Sequence, residues 1–244
     1  MIKLYVFPSL IDGLPDVSSF VTKLETALRL GGLAYERVEV GNPAQGPKGK
    51  LPFVELENGE VIGDSTLILE RLKETHGLDL DDGLNPREKA ISHAVQRMIE
   101  ERLYWVLVYS RWIEPVNQWF ERDLFFGQVP VLIRPIIYRS AVKTVTTALH
   151  HHGLGRHSRE EIYALGTADI DALATLLADQ PFLFGEAPSL VDATAFAILV
   201  NIVTPAVESP LKQAVKAYDT LLHYTARMMD RFDQADRRLS IAAE

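Results

Sequence analysis

The hydrophobic rhythm of this chain changes once, and the change confines it to few architectures. Up to residue 63 the apolar residues fall in short β-prone runs, IKLYVF (2–7), YERVEV (35–40), PFVELE (52–57) and a last run at 59–63, each bounded by Gly, Pro or Asn. From about residue 85 those runs stop. Apolar residues then recur at helical spacing through 86–114, 129–150, 158–178, 189–204 and 210–237. A length of 244 residues admits one large or two small domains. The asymmetry predicts two, an α/β unit over 1–78 and an all-α unit over 85–244, joined by the short polar linker LDLDDGLN (78–85).

Within the front half, Phe20, Leu24, Ala27, Leu28 and Leu30 share helical spacing over 18–31, with Ser18 and Ser19 as N-cap candidates and Gly31-Gly32 as the stop. A helix between two strands predicts a β-α-β unit with parallel pairing and a right-handed crossover. Asn58-Gly59 predicts a tight hairpin joining the last two strands. Asp64 and Ser65 then open another helix that ends near Gly77. At the start of the second half, Asn85-Pro86 places proline at the first position of a helix.

Composition removes whole classes of chemistry. With no cysteine the protein has no disulfide, thiolate metal site, iron-sulfur cluster or cysteine nucleophile, so any thiol it uses is brought in by a ligand. The balance of 25 Lys and Arg against 33 Asp and Glu, net −8, argues against nonspecific capture of nucleic acid or of an acidic membrane surface. The apolar run before Pro8 is too short for a secretion signal. Residues 193–207 form the longest apolar stretch, but Thr194, Asn201, Thr204 and Pro205 interrupt it well before the ~20 residues of a membrane span, which predicts a buried helix in a soluble, cytoplasmic protein.

Chemistry concentrates in PKGKLPFVEL (47–56) and GDSTLILERL (63–72). Pro52 at a strand start cannot donate to the ladder, which leaves the backbone of Leu51 free for another partner. Asp64 and Ser65 at a strand-to-helix turn present a hydroxyl and backbone N–H groups to an anion, or serve only as a helix cap. Trp105, Trp112 and Trp119 are spaced by seven, near one helical face, with Tyr109 between the first two, although Pro115 predicts a kink or an end of the helix before the third. Such a stripe is either core or the wall of an apolar pocket; as pocket residues it would contribute Tyr104, Tyr109, Arg111 and Trp112, although Arg111 among aromatics can instead pair with an internal carboxylate. His150-His151-His152 with His157 does not converge on one ion, because consecutive residues do not share a helical face, so no metal is expected. Ser189 and Asp192 form a variant capping box ahead of the apolar helix.

The order strand, Ser-headed helix, strand, GPKGKLPFVEL, GDS-headed helix and all-helical half resembles a cytosolic glutathione transferase, with a thioredoxin-like front and a helical back. EERLYWVLVYSRW (100–112), GRHSREEIYALG (155–166) and PFLFGEAPSLVDATAF (181–196) are similar to the branch of failed axon connections, the metaxin-like proteins and bacterial relatives. The resemblance implies that Pro52 is a cis proline, that the Leu51 backbone pairs with the cysteinyl amide of glutathione, that Asp64 and Ser65 hold the γ-glutamyl end, and that Lys50 and Lys48 face the glycyl carboxylate. In this family a Ser, Tyr or Cys near the first helix faces the glutathione sulfur, often in a Ser-Pro-Phe-Cys-like phrase. Here the phrase is Ser18-Ser19-Phe20-Val21, so Ser18 stands at the activating position, with Ser19 and then Tyr5 as alternatives.

Moving a thiol from pKa ~8.5 to ~6.5 requires roughly 2.7 kcal/mol of preference for thiolate. A helix N-terminus contributes about 0.3–1 kcal/mol, up to about 2, and a hydroxyl hydrogen bond to an anion about 1.5–3 kcal/mol, so together they suffice. The resemblance thus implies an enzyme joining glutathione to a small apolar electrophile, a role in detoxification, and a homodimer. Two other readings use the same cleft: a non-catalytic glutathione-binding or metaxin-like adaptor, and a glutathione-dependent peroxidase or dehalogenase.

Overall fold

In the computed structural model residues 1–242 are described, with side chains described through residue 235. Strands β1 (Ile2–Val6), β2 (Tyr35–Glu39), β3 (Phe53–Glu55) and β4 (Val61–Gly63) form one sheet in the order β2-β1-β3-β4. β1 and β2 are parallel, with Leu4 opposite Arg37, as a β-α-β unit requires. β3 runs antiparallel to β1 and to β4, and Gly59, at φ +84°, turns the hairpin between β3 and β4. Alternate residues of β1, Ile2, Leu4 and Val6, are buried under helices α1 (Ser19–Leu30) and α2 (Ser65–His76).

The helical half comprises α3 (Pro86–Met98), a π-helical turn (Ile99–Leu103), α4 (Tyr104–Trp112), α5 (Gln118–Phe126), α6 (Arg134–His152), α7 (Arg159–Leu177), α8 (Leu190–Val203), α9 (Pro210–Lys216) and α10 (Asp219–Ala242). Capping boxes start three of these: Asn85 with Glu88, Ser158 with Glu161, and Ser189 with Asp192. The four-stranded front and all-α back are the architecture that the resemblance implies.

Three details depart from the periodicity. The helix expected over 86–114 contains the π turn. The segment 118–126, outside the expected helices, forms α5; the chain leaves α4 before Pro115, as the proline implies, so Trp119 lies off the helix that carries the other two tryptophans. The helix expected over 210–237 is broken at 217–218, and the break sends α9 against α7 and α8 while α10 runs along α1 and α8.

Two apolar cores form, and the halves lend each other residues. Ala193 of α8 belongs to the core under the sheet, while Leu14 and Val17, from the loop before α1, belong to the helical core. α1 packs lengthwise on α8. Gly31 permits the linker to close on α1, because a Cβ there would lie 2.0 Å from Cδ1 of Leu78. At the same interface Lys23 of α1, fully buried, donates to Glu100 of the π turn at 2.6 Å.

Candidate functional site

A trough runs between the halves, with two lobes of about 420 and 410 Å³. Phe20, Lys50, Leu51, Glu100 and Glu101 border both lobes and make them one continuous cleft. One lobe, the polar one, is lined mainly by the front half, with Arg97, Glu100 and Glu101 of the helical half on its far side. The other is aromatic and reaches into the helical half.

The polar lobe is built by the segment before β3 and by the start of α2. Leu51 and Pro52 are buried at its floor, and the peptide bond between them is cis. Leu51 precedes the β3 ladder, and its backbone takes no part in the pairing with β1 or β4. Lys48 and Lys50 are exposed at the rim and make no ion pair among the described residues. Across the lobe, Asp64 caps α2: its carboxylate accepts the N–H groups of Thr66 at 3.0 Å and Leu67 at 3.3 Å. Asp64 does this at φ +90°, a conformation disfavoured for a residue with a Cβ and concentrated where ligands are clamped. Ser65 beside it is buried and borders the lobe. Two loose cations, a free backbone edge and a helix N-terminus together suit a small peptide bearing carboxylates.

In the aromatic lobe Ser18 caps α1. Its hydroxyl oxygen accepts the N–H of Val21 at a long 3.4 Å, while its own N–H donates to Asp16 at 2.8 Å. Ser19 is buried and also borders the lobe. Tyr104, Trp112 and Arg111 lie along the wall with Trp105 and Phe125. Tyr104 packs edge-on to Phe20, and burial pushes its phenol above the ordinary range, partly offset by Arg111. Trp112 stacks on Phe125 at 5.7 Å.

Two expected residues lie elsewhere. Tyr109 is off the cleft wall, edge-on to Tyr163, because the next positions of α4 carry the wall. Tyr5 stacks on Phe53 and donates to Glu55, so its hydroxyl faces the sheet surface rather than the cleft. Arg111 takes the carboxylate partner: its Nε donates to the buried Glu121 of α5 at 2.6 Å, and Nη1 donates to the carbonyl of Val17 at 3.0 Å. The histidines are dispersed; His152 stacks on Trp105 with Nε2 2.9 Å from the carbonyl oxygen of Glu101, and among the described residues no group of three or more ligating side chains is placed to hold a metal ion.

Asp16 escaped the sequence reading although it orders the centre of the site. Its buried carboxylate accepts the N–H of Ser18 and, at 3.2 Å, that of Phe7. Thr22 and Asn201 both donate to its carbonyl. Burial raises the Asp16 carboxyl to about 7, against the lowering effect of the Ser18 N–H and of Arg37. Residues 16–18 are therefore held from both halves, by Arg111 and Asn201 on the helical side. The Asp-x-Ser spacing before a helix carries a local signal for this turn, whereas nothing near Asn201 or Glu121 in sequence points to it.

The Glutathione S-transferase N-terminal domain family matches residues 19–117 and the Glutathione S-transferase C-terminal domain family matches residues 166–228. Failed axon connections of Drosophila melanogaster is 33% identical over 243 residues, 95% of this chain, and the chain spans 58% of that protein's length. The isoprene-epoxide glutathione S-transferase of a Rhodococcus strain is 30% identical over 91% of this chain and 95% of its own. Human metaxin-1 is 29% identical over 77% of this chain and 41% of its own. Among solved structures, a glutathione transferase from Phanerochaete chrysosporium superposes with TM-score 0.65 at 14% identity, covering 95% of this chain and 96% of that one. A Methylobacillus flagellatus glutathione S-transferase with glutathione bound does so with TM-score 0.60 at 16% identity, covering 96% and 98%. A thioredoxin-like front, a helical back and relatives that match nearly the whole chain converge on one assignment: the protein belongs to the glutathione transferase superfamily, in the branch of failed axon connections and the metaxins.

Proposed function

We propose that this protein is an enzyme that binds glutathione in the polar lobe and transfers its thiolate to a small apolar electrophile resting in the aromatic lobe. The observation that carries the reading is the continuity of the two lobes across Phe20, Lys50, Leu51, Glu100 and Glu101, with the Ser18 hydroxyl at the N-terminus of α1 bordering the aromatic lobe. Lys48 and Lys50 face the glycyl carboxylate, the Leu51 backbone pairs with the cysteinyl amide, and Asp64 with Ser65 holds the γ-glutamyl end. Ser18, with Ser19 as second candidate, donates to the sulfur. The thiol proton leaves to solvent as the thiolate forms. For an epoxide, the class named in the Rhodococcus relative, a carbon–sulfur bond forms as the ring carbon–oxygen bond breaks, and the resulting alkoxide takes a proton. Tyr104, kept protonated by burial and bordering the aromatic lobe, supplies it. As part of the same reading we place the protein in the cytoplasm as a detoxifying homodimer.

A second reading, a glutathione-binding or adaptor protein without turnover, is favoured by the engagement of the Ser18 hydroxyl as a helix cap and by the kinship with metaxin-1. Two measurements separate them: calorimetry with millimolar glutathione, and turnover of glutathione with an isoprene epoxide and with a halonitroarene. Binding with turnover that Ser18→Ala cuts supports the enzyme. Binding without turnover establishes the binder, and absence of binding overturns the enzyme and leaves an adaptor whose cleft holds no glutathione. Consumption of an organic hydroperoxide in place of the epoxide would instead assign a glutathione peroxidase.

A further inference from the structure

Between Asp123 and Glu160 the chain has no carboxylate in 36 residues but carries Arg134, Arg139, Lys143, Arg156 and Arg159, in a protein whose net charge is −8. The same stretch holds the most exposed large apolar side chains of the described residues: Leu132 is 91% exposed, Val131 74% and Ile136 67%, with Ile133 and Ile137 beside them. The turn at 130–133 leads directly into α6, its carbonyls at Pro130 and Ile133 accepting from Arg134 and Ile137, so these residues form one contiguous tip. Leu132, Ile136, Arg139 and Lys143 follow at spacings of four, three and four, which aligns them on one face, apolar at the tip and cationic behind it. Arg139 and Lys143 make no ion pair among the described residues, and Arg134 is bonded only to the carbonyls of Val129 and Gly127. The opposite side of α6 is the packed one, where Tyr138 stacks near Trp112 and Leu149 is buried.

We propose that this tip docks the protein on an anionic lipid surface, with Val131, Leu132 and Ile136 inserted among the acyl chains and Arg134, Arg139 and Lys143 at the phosphate level. Charge and shape choose this occupant. Juxtaposing the patch with its own copy across a twofold axis would bring three cations against three, and a tip whose apolar side chains are exposed and line neither lobe of the cleft nor the cavity beside the linker offers no bed for a partner's helix. An anionic bilayer answers both, since it supplies apolar depth and opposite charge in one layer. The overall negative charge does not oppose this, because screening over about 10 Å lets a local cationic face act by itself. The inference concerns lying on a membrane; among the described residues no helix is long and apolar enough to cross one. Because Trp112 bridges Phe125 of the cleft wall and Tyr138 of α6, docking at the tip sets the aromatic lobe beside the lipid. The docking stands whether or not the cleft is catalytic.

The test is sedimentation of the full-length protein with vesicles of phosphatidylcholine alone and with about one-third phosphatidylserine. Binding is expected to the phosphatidylserine vesicles, at least tenfold tighter than to phosphatidylcholine, and to weaken as salt rises from about 0.05 to 0.5 M. The variant Leu132→Glu with Ile136→Glu, in exposed positions that leave the fold intact by circular dichroism, abolishes it. Arg139→Glu with Lys143→Glu lowers it at least tenfold while leaving glutathione binding unchanged. Equal or absent binding to the two vesicle types, or binding that survives both variants, overturns the proposal. So does a dimer in analytical ultracentrifugation that Leu132→Glu with Ile136→Glu converts to monomer, which would assign the tip to a second copy.

Discussion

Ser18 and Ser65 carry separable tasks if glutathione occupies the cleft, and substitution distinguishes them. Ser18→Ala removes a hydroxyl that serves the anionic sulfur, worth about 1.5–3 kcal/mol, so kcat/KM for conjugation is expected to fall roughly 10- to 150-fold. The ultraviolet thiolate absorbance of bound glutathione, titrated with pH, is the direct check, and its midpoint moves upward in the variant. Ser65→Ala weakens glutathione binding by about 1–3 kcal/mol, read as the calorimetric Kd, because a buried hydroxyl loses its partner at the γ-glutamyl end. Asp16 makes a pH prediction with the opposite sign from an ordinary carboxylate. Burial lifts its folded value to about 7, above the unfolded 3.8, so between these pH values the native state holds a proton that the unfolded chain has released. The native state is therefore penalised progressively as pH rises from about 4 to about 7, where the loss is complete at roughly 4–5 kcal/mol, at about 1.4 kcal/mol per pH unit. In urea titrations at several pH values, Asp16→Asn is expected to flatten that decline. A slope identical to that of the parent would remove Asp16 as its source.

The π turn over Ile99–Leu103 is the element that couples the cleft to the interface between the halves. One extra residue per turn lets Ile99 and Leu103 stay in the helical core while Glu100 reaches Lys23 and Glu101 borders the cleft. Lys23 and Glu100 are both buried, and Arg97 also contacts Glu100. Glu100→Gln removes the carboxylate from a buried ammonium and is expected to cost about 3–5 kcal/mol in denaturant unfolding. The double replacement Lys23→Met with Glu100→Leu recovers most of that, since neither charge is then left unpaired. Failure of the double variant to recover would show that the pair orders the π turn rather than merely neutralising itself. The helical pattern over 86–114 announced the helix but not its π insertion, because periodicity averages over several turns and a single added residue shifts it little. The Ser189–Asp192 cap, by contrast, was legible in full, since a capping box is a local pattern whose partners sit three residues apart, while at Asn85 the proline marked the helix start and the Glu88 partner was added by the structure.

At the scale of the whole molecule the two halves are one folding unit, because each core contains residues of the other half and α1 lies along α8. Unfolding is expected to show a single cooperative transition by circular dichroism and by tryptophan fluorescence, whose reporters all lie in the helical half. A fragment of residues 1–84 is expected to remain without native-like dispersion in its amide spectrum, since it would expose the α1 face and the buried Lys23 to water; a well-dispersed fragment spectrum would refute the coupling. Legible in the amino-acid order were the four strands, the parallel β-α-β start, most of the helices and the cleft-lining loops, all of which rest on signals within a few residues or on one periodicity, whereas α5 and the break at 217–218 were not. Packing in three dimensions set the rest: Arg111 serves Glu121 and Val17, Tyr109 turns from the cleft, and Asp16 and Asn201 hold Ser18 in place. Those outcomes depend on side chains brought together across as many as 185 positions, where the choice of partner is made by burial and by the need of each buried polar group for a hydrogen bond.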